Sequence, residues 1–433
     1  MNPSRALSHA IDIPAISRER SDEESLLCSM EAKMEAFCSS IIIFKVPDEI
    51  SIDNREVFVP AKVSIGPFHH GAPHLESMED LKWNYLCAFL KHNPSVGLDD
   101  LLEFVAKSES RVRKCYEVEF HDLDSQKFAR MMVLDCCFVL ELLLRFSIKR
   151  LKRRNDPVFT TPGLLLDLKS DLILLENQIP YFLLREVYEK VQDSREENMP
   201  LNDLAFRFFR TIVAGERQSV YDNFQQDADH LLDIVHSCFL STYPRIETKN
   251  NKSKTAELPR ASKLKSAGIK FKNAVTPKSV LDIKFQNGGL EIPTLEVSKH
   301  TETILKNLIA YEICQIGSAQ QVKSYVDFMS HLLQSDEDMK LLCGRKILIN
   351  LEKDETQIIA NLKWMRQQKA NLSGTYFAGV VQKLNEPPDR FIVWWRRLRR
   401  NPVAIGVVAV WALVVIFVAA FFSALSLLQR RYR

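Results

Sequence analysis

Residues 403–428, VAIGVVAVWALVVIFVAAFFSALSLL, run for twenty-six positions without a charge, and no other part of the 433-residue chain limits its fold as strongly. As a helix rising 1.5 Å per residue the run would be about 39 Å long, against a hydrocarbon core of about 30 Å. Arg396, Arg397, Arg399 and Arg400 precede it, and Arg430, Arg431 and Arg433 follow. Such a run predicts one transmembrane helix. The flanking arginines nearly balance, so the positive-inside rule barely orients it. The N-terminal stretch MNPSRALSHAIDIPAISRERSDEESLL has no apolar core behind its basic start, hence no secretory signal. The expectation is a single-pass, tail-anchored protein with its bulk in the cytosol, at the plasma membrane or an endomembrane. Its expected partner is the lipid bilayer, met through the C-terminal helix, with Trp394 and Trp395 at the interface.

The chain as a whole carries no global field, since 58 Lys and Arg nearly cancel 55 Asp and Glu, and no nucleic-acid partner is expected. Nine cysteines at irregular spacing do not form a disulfide framework. Two glycosylation sequons, at Asn251 and Asn371, are near chance for this length. Helical periodicity marks 131–146, 164–189 with a break at Pro180, 201–211, 227–240, 301–316, 322–333 and 353–381. Residues 41–46 and 57–65 are β-branched and bounded by Pro47, Pro60 and Pro67, which predicts short strands. Around Asn287-Gly288-Gly289 the pattern predicts a hairpin near 280–297, with Pro293 confining its second strand to an edge. The fold expected is mainly α with this small β element plus the terminal helix. Its organisation reads as a polar segment 1–40, a helical part 41–244, a basic linker or excursion 245–279, a hairpin-plus-helix part 280–395, and a juxtamembrane and anchor segment 396–433.

Several segments together resemble a plant family known as domain of unknown function 247: VFVPAKVSIGPFHHG at 57–71, MVLDCCFVLELLL in the first long helix, DLILLENQIPYFLL at 171–184, and ELPRASKLKSAGIKFK at 257–272 leading into LDIKF and GGLEIPTLEV. Phe68 stands where relatives often have Tyr, and Cys136-Cys137 where glycine is common in them. The resemblance, spanning roughly 41–428, implies a membrane-associated plant protein without an established catalytic activity.

Candidate chemistry is sparse. His69 and His70, with His74 nearby, are the nearest thing to a metal cluster, but no further ligands follow at a zinc-like interval. Asp135 and Glu141 interrupt one apolar helix; Asp171, Glu176, Asn177 and Gln178 interrupt another. A buried carboxylate must be paired or hydrogen-bonded, so these residues either cap and cross-link helices or form an acid–base pair. Cys136 and Cys137 read as buried small hydrophobes. The basic run Lys149-Arg150-Leu151-Lys152-Arg153-Arg154 reads as a solvated loop, with anionic headgroups as the other reading. No phosphate loop, nucleophile elbow or HExxH motif is present, and no catalytic, cofactor or metal residue is assigned. The function expected is a membrane-tethered, non-enzymatic surface for a protein partner. The alternative is an enzyme using buried Asp or Glu, with His69 or His70, in a helical pocket.

Overall fold

The computed structural model describes residues 41–52, 54–192, 199–246, 258–351 and 376–385, with isolated helical positions at 359, 360, 362, 364, 365, 413, 416, 418 and 420. Helices α1 (Glu76–His92) and α2 (Leu98–Arg113) pack against α3 (Ser125–Ser147), which contains neither glycine nor proline. Asp124 caps its start by accepting the Lys127 N–H at 2.8 Å, satisfying a donor that every helix N-terminus leaves unpaired. Between positions 128 and 145 every side chain except that of Arg130 is buried. That is why the apolar run has no polar face, and each buried Leu or Phe contributes about 1.5–3 kcal/mol. The helix ends where Ile148 adopts ψ 104°, outside the helical region.

The chain continues through α4 (Leu164–Asp171), α5 (Tyr181–Gln192), α6 (Leu201–Phe209), α7 (Arg217–Phe224), α8 (Leu231–Phe239) and α9 (Ala261–Ser266). Helices α5 and α6 complete the packing around α3. Strands β1 (Lys270–Asn273), β2 (Lys284–Gln286) and β3 (Gly289–Ile292) form a sheet in the order β1-β3-β2, parallel on one side and antiparallel on the other. Strand β4 (Leu295–Val297) precedes α10 (Lys299–Cys314), α11 (Gln321–Leu332) and α12 (Asp336–Gly344), and pairs in parallel with β5 (Leu348–Asn350). The last element is α13 (Ala378–Asn385). The chain divides into two compact units, Met1–Glu247 with Leu258–Gly379 and Thr248–Glu257 with Val380–Arg433.

The mainly helical reading with a small β element holds. The hairpin is present as β2 and β3, turned by Asn287 and Gly288 at φ 51° and 70°, the left-handed pair that a tight hairpin turn demands. Its second strand is central rather than an edge, because β1 joins it, and Pro293 lies just beyond the ladder. The stretch read as a basic linker supplies α9 and β1. The expected strands at 41–46 and 57–65 do not form a sheet: only Ile43 bridges to Tyr116. The chain also leaves the helix after Asp171, well before Pro180. There Asn177 donates to the Asp171 carbonyl at 2.8 Å, and Gln178 to those of Leu172 and Leu174 at 2.9 and 2.7 Å. These side chains take over carbonyls that a longer helix would have paired.

The transmembrane helix requires correction. Among the described residues no helix is long and apolar enough to cross a membrane. A span needs about 20 consecutive apolar residues, whereas the longest described helix, 23 residues, carries Lys127, Arg130, Asp135, Glu141 and Arg145. The run 403–428 lies outside the described residues except at Leu413, Ile416, Val418 and Ala420. Among the described residues the single-pass and tail-anchored reading, the bilayer partner, the membrane location and the membrane-tethered interaction surface therefore have no helix to rest on, and the protein partner tied to that surface has no support. The segment 1–40, the tryptophans at 394, 395 and 411, both sequons and most of the expected helix 353–381 also lie outside the described residues.

Candidate functional site

Val57 closes a 3-10 turn, and from Ala61 to Gly66 the chain belongs to no strand; side chains satisfy its backbone instead. Asp171, at the end of α4, accepts the N–H groups of Ala61, Lys62 and Val63 at 2.9, 2.7 and 2.9 Å. Asn177 accepts the Ile65 N–H at 2.7 Å and donates to the Val63 carbonyl at 3.0 Å. Asp135, from the middle of α3, accepts the Gly66 N–H at 2.8 Å. Asn307 of α10 donates to the Val57 carbonyl at 2.9 Å and accepts the Leu175 N–H at 3.0 Å. Three of the polar residues that interrupt apolar helices, Asp135, Asp171 and Asn177, are thus anchors of one docked segment. Leaving a buried N–H unpaired would cost about 1–3 kcal/mol, which is why the carboxylates are tolerated in the core.

Gly66 is required where the segment approaches most closely. Its φ is +78°, and a Cβ there would meet the Gln178 carbonyl oxygen and the Tyr116 hydroxyl. Burial pushes the Asp171 carboxyl up to about 6, with the three N–H groups pulling the other way. Burial likewise raises the Asp135 carboxyl, against Lys82 at 2.7 Å. For Lys82, burial lowers the amine, but the combined charges of Asp135 and Glu79 outweigh it and hold it above its ordinary value. The raised acid argues for a neutral carboxyl and the raised base for a charged amine. With two carboxylates on one ammonium, we take Lys82 to be charged.

The docked segment delivers His69 to Glu176. His69 Nε2 and Glu176 Oε2 are 3.4 Å apart, with both side chains largely buried. They are not aligned as a hydrogen bond, and the buried His69 Nε2 has no hydrogen-bond partner among the described residues. The other Glu176 oxygen accepts the Val46 N–H at 2.8 Å. In two other histidine–carboxylate pairs the carboxylate also serves further partners. Glu141 holds Arg145 at 2.7 Å and His92 at 3.3 Å. Glu312 holds His236 at 3.0 Å and the N–H groups of Val322 and Lys323 at 2.9 Å each. Of these three pairs, His69–Glu176 is the one whose ring nitrogen and facing carboxylate oxygen are not joined by a hydrogen bond.

The structure therefore brings Asp135, Asp171, Glu176, Asn177, Gln178 and His69 to one segment and leaves Glu141 at a separate cluster with Arg145, Asp156 and Tyr85. His70 is exposed, and His74 bonds the Pro60 carbonyl at 3.1 Å. Among the described residues no group of three His, Cys, Asp or Glu could hold a metal ion. Cys136 and Cys137 are buried free thiols whose protons burial holds tightly. Tyr116 and Asn307 were not singled out by the sequence. An isolated polar residue in a helical pattern gives no sign of which distant segment it serves.

A family described as DUF247, plant protein of unknown function, matches residues 43–425. The UPF0481 protein At3g47200 of Arabidopsis thaliana is 30% identical to this chain over 76% of its length and 71% of the relative's. The putative UPF0481 protein At3g02645 of the same plant is 20% identical, over 90% of this chain and 89% of the relative. No solved structure matches the chain.

Proposed function

The chain belongs to the plant DUF247 family, and we propose that it is an enzyme in which Glu176 and His69 transfer a proton to or from a bound small molecule. The observation that carries this reading is the spare capacity of the pair: the two side chains face each other at 3.4 Å, and the imidazole Nε2 makes no hydrogen bond. A general base must reach a substrate proton with an unoccupied lone pair, and a general acid must be able to return it. The Val46 N–H fixes the Glu176 carboxylate through one oxygen and leaves the other toward His69. Asp171, Asn177 and Asp135 are positioning residues in this scheme. They hold the backbone of 61–66, and with it the turn that carries His69. This is the buried-carboxylate alternative of the sequence, with His69 rather than His70 as the histidine.

The test compares the full-length protein with Glu176→Gln and His69→Gln in a plant metabolite extract, following compounds consumed and formed by mass spectrometry. In Glu176→Gln the amide keeps an oxygen for the Val46 N–H but cannot take a proton. The expected result is turnover by the wild type that falls about 100-fold or more in each variant, the size of a lost acid–base group. Absence of turnover by the wild type, or turnover unchanged in both variants, contradicts the proposal.

A further inference from the structure

The turn that follows α3 concentrates positive charge in a way the site above does not use. Lys149, Arg150, Lys152, Arg153 and Arg154 are all exposed within six residues. Lys149, Lys152, Arg153 and Arg154 have no carboxylate partner among the described residues; Lys152 only lies over the Phe159 ring, 4.3 Å from its centroid. The acid that closes the turn, Asp156, is buried and already engaged. It binds Arg145 at 2.7 Å, accepts the Tyr85 hydroxyl at 2.9 Å from either oxygen, and accepts the Val158 N–H at 3.1 Å.

The turn is also held in place. The N–H groups of Leu151, Lys152 and Asp156 donate to the carbonyls of Ile148, Lys149 and Arg153 at 3.1, 3.2 and 3.3 Å. Its two ends are joined by the buried Arg145–Asp156 bridge. Like charges packed on a fixed turn repel one another, and part of that cost is returned when an anion binds without further ordering of the backbone. The negative end of α3 offers some compensation, but the helix dipole acts only within about one turn and so serves Lys149 rather than Lys152 to Arg154.

We infer that the 149–154 turn binds a compact polyphosphorylated anion, an inositol polyphosphate either free or as the headgroup of a lipid. Compactness favours this ligand over a nucleic acid. The cations are confined to one turn, the whole chain is nearly neutral at +3, and the adjacent ring is already covered by Lys152. A nucleic acid calls for contacts spread along a backbone and rings free to stack on bases.

The experiment titrates inositol hexakisphosphate calorimetrically into the full-length protein and into the variant Lys149→Gln, Lys152→Gln, Arg153→Gln and Arg154→Gln combined. These positions are exposed, so the variant keeps the wild-type unfolding midpoint; a second variant, Lys149→Arg with Lys152→Arg, keeps the charge and should bind as the wild type does. Binding should weaken by about tenfold or more in the glutamine variant, as four exposed ion pairs sum to, and weaken with added salt. Vesicles with and without phosphatidylinositol bisphosphate identify the source. Tighter capture by the phosphorylated vesicles assigns the lipid, tighter binding of the free compound the soluble ligand, and either upholds the inference. No binding, binding unchanged in the glutamine variant, or binding of duplex RNA alone overturns it.

Discussion

Asp171 shows how one side chain can take the place of a neighbouring strand. Its two oxygens receive three backbone N–H groups, with Oδ2 taking those of Lys62 and Val63 and Oδ1 that of Ala61. Asp171→Asn turns one of those oxygens into a donor facing N–H groups, and unfolding in denaturant should show a loss of about 1–3 kcal/mol for the orphaned contacts. Gly66 makes the same point through space rather than charge. Its positive φ and its approach to Gln178 leave no room for a side chain, so Gly66→Ala should cost about 2 kcal/mol or more. A Gly66→Ala protein as stable as the wild type would mean that the segment does not dock as described. Glu176 differs from both, since it spends one oxygen on structure and leaves the other beside His69.

Elements repeat the pattern at larger size. Along 61–66 a row of side chains takes the place of a partner strand, so the amides of Ala61, Lys62, Val63, Ile65 and Gly66 should exchange slowly although they belong to no sheet. In Asp171→Asn, amide hydrogen exchange should quicken at Ala61, Lys62 and Val63 while Ile65 and Gly66, held by Asn177 and Asp135, stay protected. Uniform exchange across the segment in the wild type would contradict side-chain pairing. Helix α3 was legible from its sequence because burial all round leaves a long apolar run that only Asp135 and Glu141 interrupt between Met131 and Leu144. The hairpin was legible from Asn287-Gly288, whose conformation is a local property. The 57–65 stretch misled: its β-branched residues suggest a strand, yet Val57 closes a 3-10 turn and the N–H groups of Ala61 to Val63 go to one side chain rather than a sheet. Asp135, Asp171 and Glu176 could be seen to need partners, but the partners lie 69, 108–110 and 130 residues away, and no local pattern encodes that pairing. The terminal apolar run led further astray: hydropathy alone spoke for a span, and no described helix meets the length and apolarity that a span needs.

The whole molecule combines these anchors into a pH response. His230 caps α8 through Nδ1, which accepts the Asp233 N–H at 3.1 Å, while Nε2 donates to the Ile42 carbonyl at 2.9 Å. That arrangement needs the neutral ring, and burial pushes His230 down to about 4 from 6.5. A group with a depressed folded-state value contributes stability above its unfolded value that is lost as pH falls, here between 6.5 and 4. The contribution is about 3 kcal/mol at most. Asp171, raised to about 6, acts in the opposite sense, its contribution being present at low pH and lost as pH rises through 6. Denaturant unfolding across pH 4–7 should therefore show a shallow acid loss in the wild type and a steeper one in Asp171→Asn, and parallel curves would contradict the assignment. The division of labour between anchoring and reactive carboxylates is tested most directly by measuring unfolding free energy and metabolite turnover on the same preparations of Asp171→Asn and Glu176→Gln. Asp171→Asn should lose about 1–3 kcal/mol of stability and, where it remains folded, lose only the part of its turnover that looser positioning of His69 costs, whereas Glu176→Gln should keep its stability and lose turnover by about 100-fold or more. Loss of stability in Glu176→Gln with turnover in proportion to the folded fraction would show that Glu176 is one more anchor and that the pair with His69 performs no chemistry.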